Sequence, residues 1–215
     1  IMTEMRTEEE QIEAIKNWWK ENGKQTAVAV VVVAASWFGF QGYKAQEQAT
    51  GEAASAIYQQ VLAINESTDE ADKGRRSLLL DQLSGEYKDT VYAQYAALFN
   101  AKDAVDADDL ALAATQLRSV MNNAKDEALT QLATARLARV LLAMDKADEA
   151  LELVQASTSA AFEAEFEETK GDIYFAKGDQ DNARDAYSKA VVAAQRIGAN
   201  NPVLQMKLDD LAVSK

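Results

Sequence analysis

The side chains that most often carry enzyme chemistry are missing from this 215-residue sequence, which contains no histidine and no cysteine. Without imidazole or thiol groups, the common acid-base, nucleophilic and zinc-binding arrangements cannot form. Acidic pairs remain at Asp108-Asp109 and Glu167-Glu168, but adjacent residues on a helix point in different directions and cannot easily share one substrate. We interpret these pairs as parts of solvent-exposed helix faces. The sequence therefore predicts no catalytic residues and no enzyme activity.

One acidic stretch, residues 179–185, is spaced partly like a calcium-binding loop. Such a loop needs glycine at its sixth position and an acidic residue at its twelfth, where this chain has Arg184 and Ala190. The sequence also lacks a glycine-rich phosphate-binding loop. We therefore expect neither a metal site nor a cofactor site.

Net charge narrows the choice of partners. The chain carries a formal charge of −13, and −11 of it falls on residues 44–215. A strongly acidic domain repels polyphosphates. We therefore expect no nucleic-acid partner.

An apolar stretch, residues 25–43, organises the chain and holds no charge between Lys24 and Lys44. At a helical rise of about 1.5 Å per residue it reaches roughly 28 Å, close to the ~30 Å hydrocarbon thickness of a bilayer. A cleaved signal peptide and a buried helix are the alternatives. The long segment of mixed charge before the stretch, and the absence of an adjacent small-x-small cleavage site, favour an uncleaved transmembrane helix.

Lysine and arginine residues predict the orientation of this span. Four of them precede it, whereas only Lys44 follows it before Lys73. Because cytoplasmic flanks are enriched in these residues, we expect the N-terminus in the cytoplasm. The predicted divisions are a cytoplasmic tail at residues 1–24, a transmembrane helix at 25–43 and a domain beyond the membrane at 44–215.

The tail is predicted to contain a short interfacial helix that Gly23 ends just before the span. Its apolar residues recur at helical spacing among Glu and Lys. They could form a contact site for a partner, or they could lie at the membrane surface with the tryptophans as interface anchors. The residues concerned are Ile12, Ile15, Trp18 and Trp19.

The remainder of the chain is predicted to be all-α. Abundant Ala and Leu favour helices, and polar or Gly-containing breaks separate them. The predicted helices are residues 45–65, 70–84, 89–104, 108–122, 126–144, 147–158, 162–177, 180–197 and 201–213.

These helices form repeats that resemble the tetratricopeptide pattern. In the clearest unit, small residues mark the crossing of two antiparallel helices, tyrosines fill the space between them, and a glycine turns the chain. Equivalent alanines in successive units are 37 and 33 residues apart, close to the roughly 34-residue ideal. The key residues are Gly171, Ala183, Tyr174, Tyr187 and Gly178 in the clearest unit, and Ala113 and Ala150 in earlier ones.

The predicted fold is thus one transmembrane helix followed by a tetratricopeptide-like solenoid of helical hairpins. A generic helical bundle is the alternative. The last helix has Leu204, Leu208 and Leu211 on one face, as expected for the C-terminal capping helix that such stacks require.

The concave face of such a stack is where peptides usually bind. Its expected residues mix charges and lack the clustered Lys and Asn that would clamp a peptide carboxylate, which disfavours a receptor for C-terminal tails. The alternative is that Arg139 only joins neighbouring repeats by pairing with Asp172 or Glu165. The candidates are Leu132, Arg139 and Leu142 on one helix, and Glu165, Asp172 and Phe175 on the next.

Taken together, the tail, span and repeats resemble the YfgM family of bacterial inner-membrane proteins, which are ancillary subunits of the SecYEG translocon. The resemblance lies in residues 10–24, directly before the span, in residues 135–140, and in Lys170-Gly171-Asp172 with Gly178-Asp179. It implies a single-pass inner-membrane protein with a periplasmic repeat domain. It also implies partnership with periplasmic chaperones, notably PpiD, and no catalytic residues.

Two functional hypotheses follow. The first is an interaction protein that docks at the SecYEG translocon and links emerging secreted chains to periplasmic chaperones. The alternative is a membrane-tethered regulator that sequesters a cytoplasmic signalling protein through its N-terminal tail. Deletion of residues 3–17 separates the two, because only the second hypothesis predicts loss of a signalling phenotype with translocon contacts intact.

Overall fold

The computed structural model of the protein describes residues 8–156 and 159–213. Within these ranges the regular secondary structure is entirely helical, as predicted. The first seven residues of the predicted tail, and the predicted end of one helix at 157–158, lie outside the described residues. The chain divides into two compact units, Ile1–Glu52 and Ala53–Lys215.

The first helix, α1, runs without interruption over Glu8–Ile64. The predicted break at Gly23 is therefore wrong, and so is a separate interfacial helix in the tail. A glycine ends a helix when it adopts a positive φ, and among the described glycines only Gly178 and Gly198 do so. Gly23 keeps helical geometry, and an ideal Cβ on it would lie 3.2 Å from Nε1 of Trp19.

The predicted span lies within α1. In the described part of the chain, α1 is the one helix that is long and apolar enough to cross a membrane. None of its most apolar 18-residue window is buried within the protein. Val31, Val33 and Phe38 are each at least 66% exposed. Full exposure of apolar side chains is expected of a helix that meets lipid and not of a core helix.

Eight further helices follow α1 over the residues that the structure describes, and their bounds agree with the predicted ones to within two residues at most ends. Each packs mainly on its neighbours in sequence, and α5 also packs on α7. This is the arrangement of a repeat solenoid. The helices are α2 Glu70–Gly85, α3 Val91–Asp106, α4 Leu110–Asn123, α5 Glu127–Ala143, α6 Ala147–Gln155, α7 Glu163–Ala176, α8 Gln180–Arg196 and α9 Pro202–Val213.

The three hairpins α3/α4, α5/α6 and α7/α8 turn at equivalent positions. Gly178 has φ 76°, and Asp108 and Asp145 have φ 60° and 61°. The intervals between these three residues are 37 and 33 residues, the same as between the repeat alanines. Asp is one of the few residues other than Gly that tolerates this left-handed conformation, so the hairpin turn is retained where the glycine is absent.

Aspartates also begin several helices. The side chain of Asp109 accepts a hydrogen bond from the backbone N–H of Leu112 at 2.9 Å, and Asp179 accepts one from Asn182 at 3.2 Å. Asp69 and Asp126 cap α2 and α5 in the same way. Such caps satisfy otherwise unpaired N–H groups of the first turn, so the acidic residues at 109 and 179 have structural roles.

Small residues allow the helices to approach closely. Ala113, Ala150 and Ala183 are completely buried, as the repeat pattern predicts. Gly171 is buried against the ring of Tyr187, and Tyr174 packs partly buried in the same cluster. The predicted geometry of the clearest repeat is therefore confirmed.

The last helix, α9, closes the stack as predicted. Leu204 and Leu211 are 1% and 2% exposed, and Leu208 is partly buried beside them. They pack on the cluster that Ala183 and Tyr187 form. Buried apolar area at the end of a solenoid is what a capping helix supplies.

One prediction about acidic residues is wrong. Glu167 and Glu168 do not lie on a solvent-exposed face, since their side chains are only 17% and 14% exposed. Glu167 pairs with Lys170 at 2.6 Å, and Glu168 pairs with Lys207 of α9 at 2.8 Å. For Glu168, the packing of the capping helix supplies the cation that a partly buried carboxylate needs.

Candidate functional site

Two of the six predicted concave-face residues meet across neighbouring repeats. Arg139 of α5 and Glu165 of α7 form an ion pair at 3.4 Å, and Nε of Arg139 donates to the Thr169 hydroxyl at 3.3 Å. Thr169 is fully buried. This contact agrees with the interpretation that Arg139 joins neighbouring repeats through Glu165.

Asp172 lies in a different cluster. It accepts hydrogen bonds from the Tyr187 hydroxyl at 2.7 Å and from Nζ of Lys207 at 2.8 Å. Burial and the hydrogen bond to Asp172 raise the pKa of Tyr187. Burial would lower the pKa of Lys207, but its bonds to Asp172 and Glu168 raise it overall. These contacts tie α7, α8 and α9 together, so Asp172 is engaged within the fold.

The three apolar candidates have three different environments. Leu142 is partly buried against the central core, and Leu132 is partly buried beside Leu129 and Tyr95. Phe175 is 56% exposed. The structure thus brings Arg139 and Glu165 into contact and places the other four candidates in separate surroundings.

The structure instead forms a groove between α3 and α5, which we call the α3–α5 groove. It consists of two cavities of about 320 Å³ and 360 Å³ that share Leu98, Lys102 and Arg136. Val105 and Val140 lie in the first cavity, and Leu132 of the predicted set lines the second. Concave, mostly apolar clefts with a few polar groups are typical ligand sites.

Aromatic residues form one wall of the second cavity. Tyr58, from the last turns of α1, has its ring centroid 5.3 Å from that of Tyr95 and 6.3 Å from that of Phe99. Arg76 lies over the Phe99 ring at 5.3 Å and pairs with Asp103 at 2.7 Å. These contacts fix the aromatic wall before any ligand arrives.

Sequence reasoning missed most of the α3–α5 groove. The available signal was the spacing of Tyr92, Tyr95 and Phe99, which places aromatic rings on one side of a helix. Periodicity alone does not distinguish such a stripe from a core face. Only the approach of α5, with Arg136 exposed on it, shows that part of the stripe borders a cleft.

The candidate residues in the N-terminal unit are all exposed. Ile12 and Ile15 are 53% and 67% exposed, and Trp18 and Trp19 are 51% and 57% exposed. The two indole rings lie 6.2 Å apart. These side chains are available for contact with lipid or with another protein.

Comparisons with known proteins cover nearly the whole chain. The family described as "Tetratricopeptide repeat-like domain" matches residues 16–213. The chain is 30% identical over 207 residues to the ancillary SecYEG translocon subunit of Escherichia coli, with 96% of this chain and 97% of that protein covered. It is 28% identical over 204 residues to proteins of the same name in Haemophilus influenzae and Neisseria gonorrhoeae, covering 95% of this chain and 97% of each relative.

No solved structure matches the chain. The family match includes both the candidate span and every hairpin of the solenoid. The chain therefore belongs to the tetratricopeptide repeat-like family whose members include the proteins named ancillary SecYEG translocon subunits.

Proposed function

We propose that the protein is a non-enzymatic, membrane-anchored interaction protein that associates with the SecYEG translocon. Its repeat domain links emerging secreted chains to periplasmic chaperones of the PpiD type. The observation that carries the proposal is the near-complete alignment with ancillary translocon subunits, 96% of this chain in the Escherichia coli case. Alignment over this length includes the tail, the apolar helix and the repeats together.

The proposal includes a topology in the bacterial inner membrane. Residues 1–24 are cytoplasmic, residues 25–43 cross the bilayer, and residues 44–215 lie in the periplasm. The support is the excess of Lys and Arg before the apolar stretch, because such residues are retained on the cytoplasmic side. The exposed valines and aromatics of α1 are in keeping with a lipid environment.

A tether explains how a domain without strong binding sites could act at the translocon. Confinement beside the exit raises the effective concentration toward the millimolar range of short-linker systems. Contacts too weak to persist in solution would then be occupied most of the time. The exposed side chain of Phe175 and the α3–α5 groove are the surfaces offered to partners.

Site-specific photocrosslinking in native membranes tests the proposal. Probes replace Trp19 in α1 and Phe175 in α7, and a control probe replaces Leu112 on α4, which is 45% exposed and lines neither groove cavity. We expect translocon adducts from Trp19, and chaperone or secreted-chain adducts from Phe175 in excess of those from Leu112. Absence of translocon adducts at every position would contradict the proposal. Capture of only a soluble cytoplasmic protein by Trp19 would favour the regulatory alternative.

A further inference from the structure

The charged side chains that line the α3–α5 groove are all cationic. Among the described residues, its lining includes Lys102, Arg136 and Arg139 and no acidic side chain, although the whole chain carries a formal charge of −13. Lys102 pairs with Asp106 at 2.5 Å, and Arg139 pairs with Glu165 at 3.4 Å. Two of the three cations are therefore neutralised from outside the groove.

Arg136 is the cation that remains available. Its side chain is exposed and has no ion pair within the described part of the chain. It lines both cavities and thus lies between them. A guanidinium at the edge of apolar walls forms strong, directional hydrogen bonds with a carboxylate.

The dimensions of the groove fit a short extended peptide. From Tyr95 to Val105 on α3 the distance is roughly 15 Å at a helical rise of about 1.5 Å per residue. An extended chain covers the same distance in about four or five residues at ~3.3 Å each. Alternate side chains of such a chain point to the same side, so three of the five would face the groove.

We propose that the α3–α5 groove binds an extended polypeptide segment in which an acidic residue lies between two apolar residues. One further residue separates the acidic residue from each apolar residue. The two apolar side chains enter the two cavities, and the carboxylate pairs with Arg136. The inference rests on the proposed function and deepens it, because it names the chemistry of the chain segments that the domain captures. Segments with Lys or Arg at the central position are rejected by charge repulsion.

Fluorescence anisotropy with the full-length protein in lipid nanodiscs tests the inference. The probes are short labelled peptides with the central sequences Leu-Ser-Glu-Ser-Leu, Leu-Ser-Lys-Ser-Leu and Ser-Ser-Glu-Ser-Ser, and empty nanodiscs give the background. We expect the first probe to bind at least about tenfold more tightly than either of the others, since a charge-assisted contact and a buried leucine each contribute that much.

Two substitutions of Arg136 make the test specific. We call Leu-Ser-Glu-Ser-Leu the Glu probe and Leu-Ser-Lys-Ser-Leu the Lys probe. Arg136→Glu should weaken binding of the Glu probe at least about tenfold and make the protein prefer the Lys probe. Arg136→Gln should weaken binding of the Glu probe without reversing the preference. Lys88→Glu is the matched control, because Lys88 is also exposed, has no ion pair in the described part of the chain and lies outside the groove. The control should leave both affinities unchanged.

Three results would overturn the inference: no saturable binding of the Glu probe, equal binding of the Glu and Lys probes, or equal effects of Arg136→Glu and Lys88→Glu. Circular dichroism of each variant establishes that it is folded, and Arg136→Gln supplies the second variant if the glutamate disturbs α5. If no peptide binding is observed while Trp19 still crosslinks to the translocon, only this inference is refuted. If no translocon crosslinks are observed, the proposed function is refuted.

Discussion

The ring of Tyr187 on α8 occupies the space that a side chain at Gly171 on α7 would need. An ideal Cβ on Gly171 would lie 2.4 Å from both Cδ1 and Cε1 of that ring. Tyr187 cannot withdraw freely, because it is 3% exposed and its hydroxyl donates to Asp172. The smallest residue on one helix and an aromatic ring on the other therefore set the spacing of this hairpin.

Substitution Gly171→Ala is expected to lower the free energy of unfolding by about 1–3 kcal/mol, the usual cost of overpacking a core. The higher helix propensity of Ala, worth about 1 kcal/mol, does not offset the clash. The measurement is thermal or urea unfolding followed by circular dichroism. Gly74→Ala is the matched control, because an added Cβ on Gly74 would meet no described atom within 4 Å apart from its chain neighbours and the backbone of α2, and it should stabilise. Equal effects of the two substitutions would contradict the packing argument.

The hairpin turn at Gly178 yields a graded prediction. Gly178→Ala should destabilise by about 1 kcal/mol, because a left-handed conformation costs an ordinary residue roughly 1–2 kcal/mol. Gly178→Asp should cost less, since Asp108 and Asp145 adopt φ 60° and 61° in the equivalent turns. Chemical unfolding of the two variants side by side gives the order. If Asp proved as costly as Ala, the equivalence of the three turns would be refuted.

Lys207 is expected to contribute more to stability than a typical surface cation. Lys207→Met leaves Glu168 and Asp172, which are 14% and 25% exposed, without their cation, and should destabilise by about 1–3 kcal/mol. Lys189→Met is the control, because Lys189 and Asp185 pair at 2.6 Å while 59% and 62% exposed. The control should change stability by less than about 0.5 kcal/mol. Indistinguishable unfolding curves would mean that the capping helix does not depend on Lys207.

Stability should decrease in alkaline solution. The folded protein raises the pKa of Tyr187 above its ordinary value of 10.0 and that of Lys207 above 10.5. Above about pH 10 the unfolded chain releases these protons while the folded chain retains them, so the free energy of unfolding falls with rising pH. Below that pH this contribution is fully present.

The variant Tyr187→Phe isolates the tyrosine in that pH response. It lacks the hydroxyl, so its loss of stability between about pH 9 and about pH 11 should be smaller than in the unmodified protein. At neutral pH it should be less stable by about 1 kcal/mol, because Asp172 loses one hydrogen bond. Unfolding by denaturant at a series of pH values provides both quantities. Parallel pH profiles for the two proteins would exclude Tyr187 as a source of the effect.

Much of the repeat architecture could be predicted because it depends on local patterns. Gly178 at a turn and Ala183 at a helix crossing are restricted by backbone geometry and side-chain size, and both restrictions are visible in sequence. Asp145 aligns with Gly178 in the sequence repeat, so its place in the pattern could also be predicted. The equivalent turn at Asp108 was harder to recognise, because Asp occurs in many other settings, but its spacing from Ala113 matches that of the other two turns from their alanines.

The errors at Glu168 and at the α3–α5 groove concern features that depend on distant contacts. The error at Gly23 is local, because glycine often ends a helix, whereas here no turn follows it and α1 continues. Glu168 was assigned to solvent because its partner, Lys207, lies 39 residues away in α9. The α3–α5 groove was not predicted, since Arg136 becomes part of a binding surface only when α5 packs beside the aromatic residues of α3.

The sequential packing of the helices has a consequence for how the protein is made. Each hairpin of the solenoid packs mainly on its neighbours in sequence, so little of its buried surface depends on residues far away along the chain. A chain that emerges from its amino end can therefore fold progressively, adding one hairpin at a time to those already in place. The α9 helix comes last, and its leucines cover Ala183, Tyr187 and Ala190, which the growing stack would otherwise leave exposed.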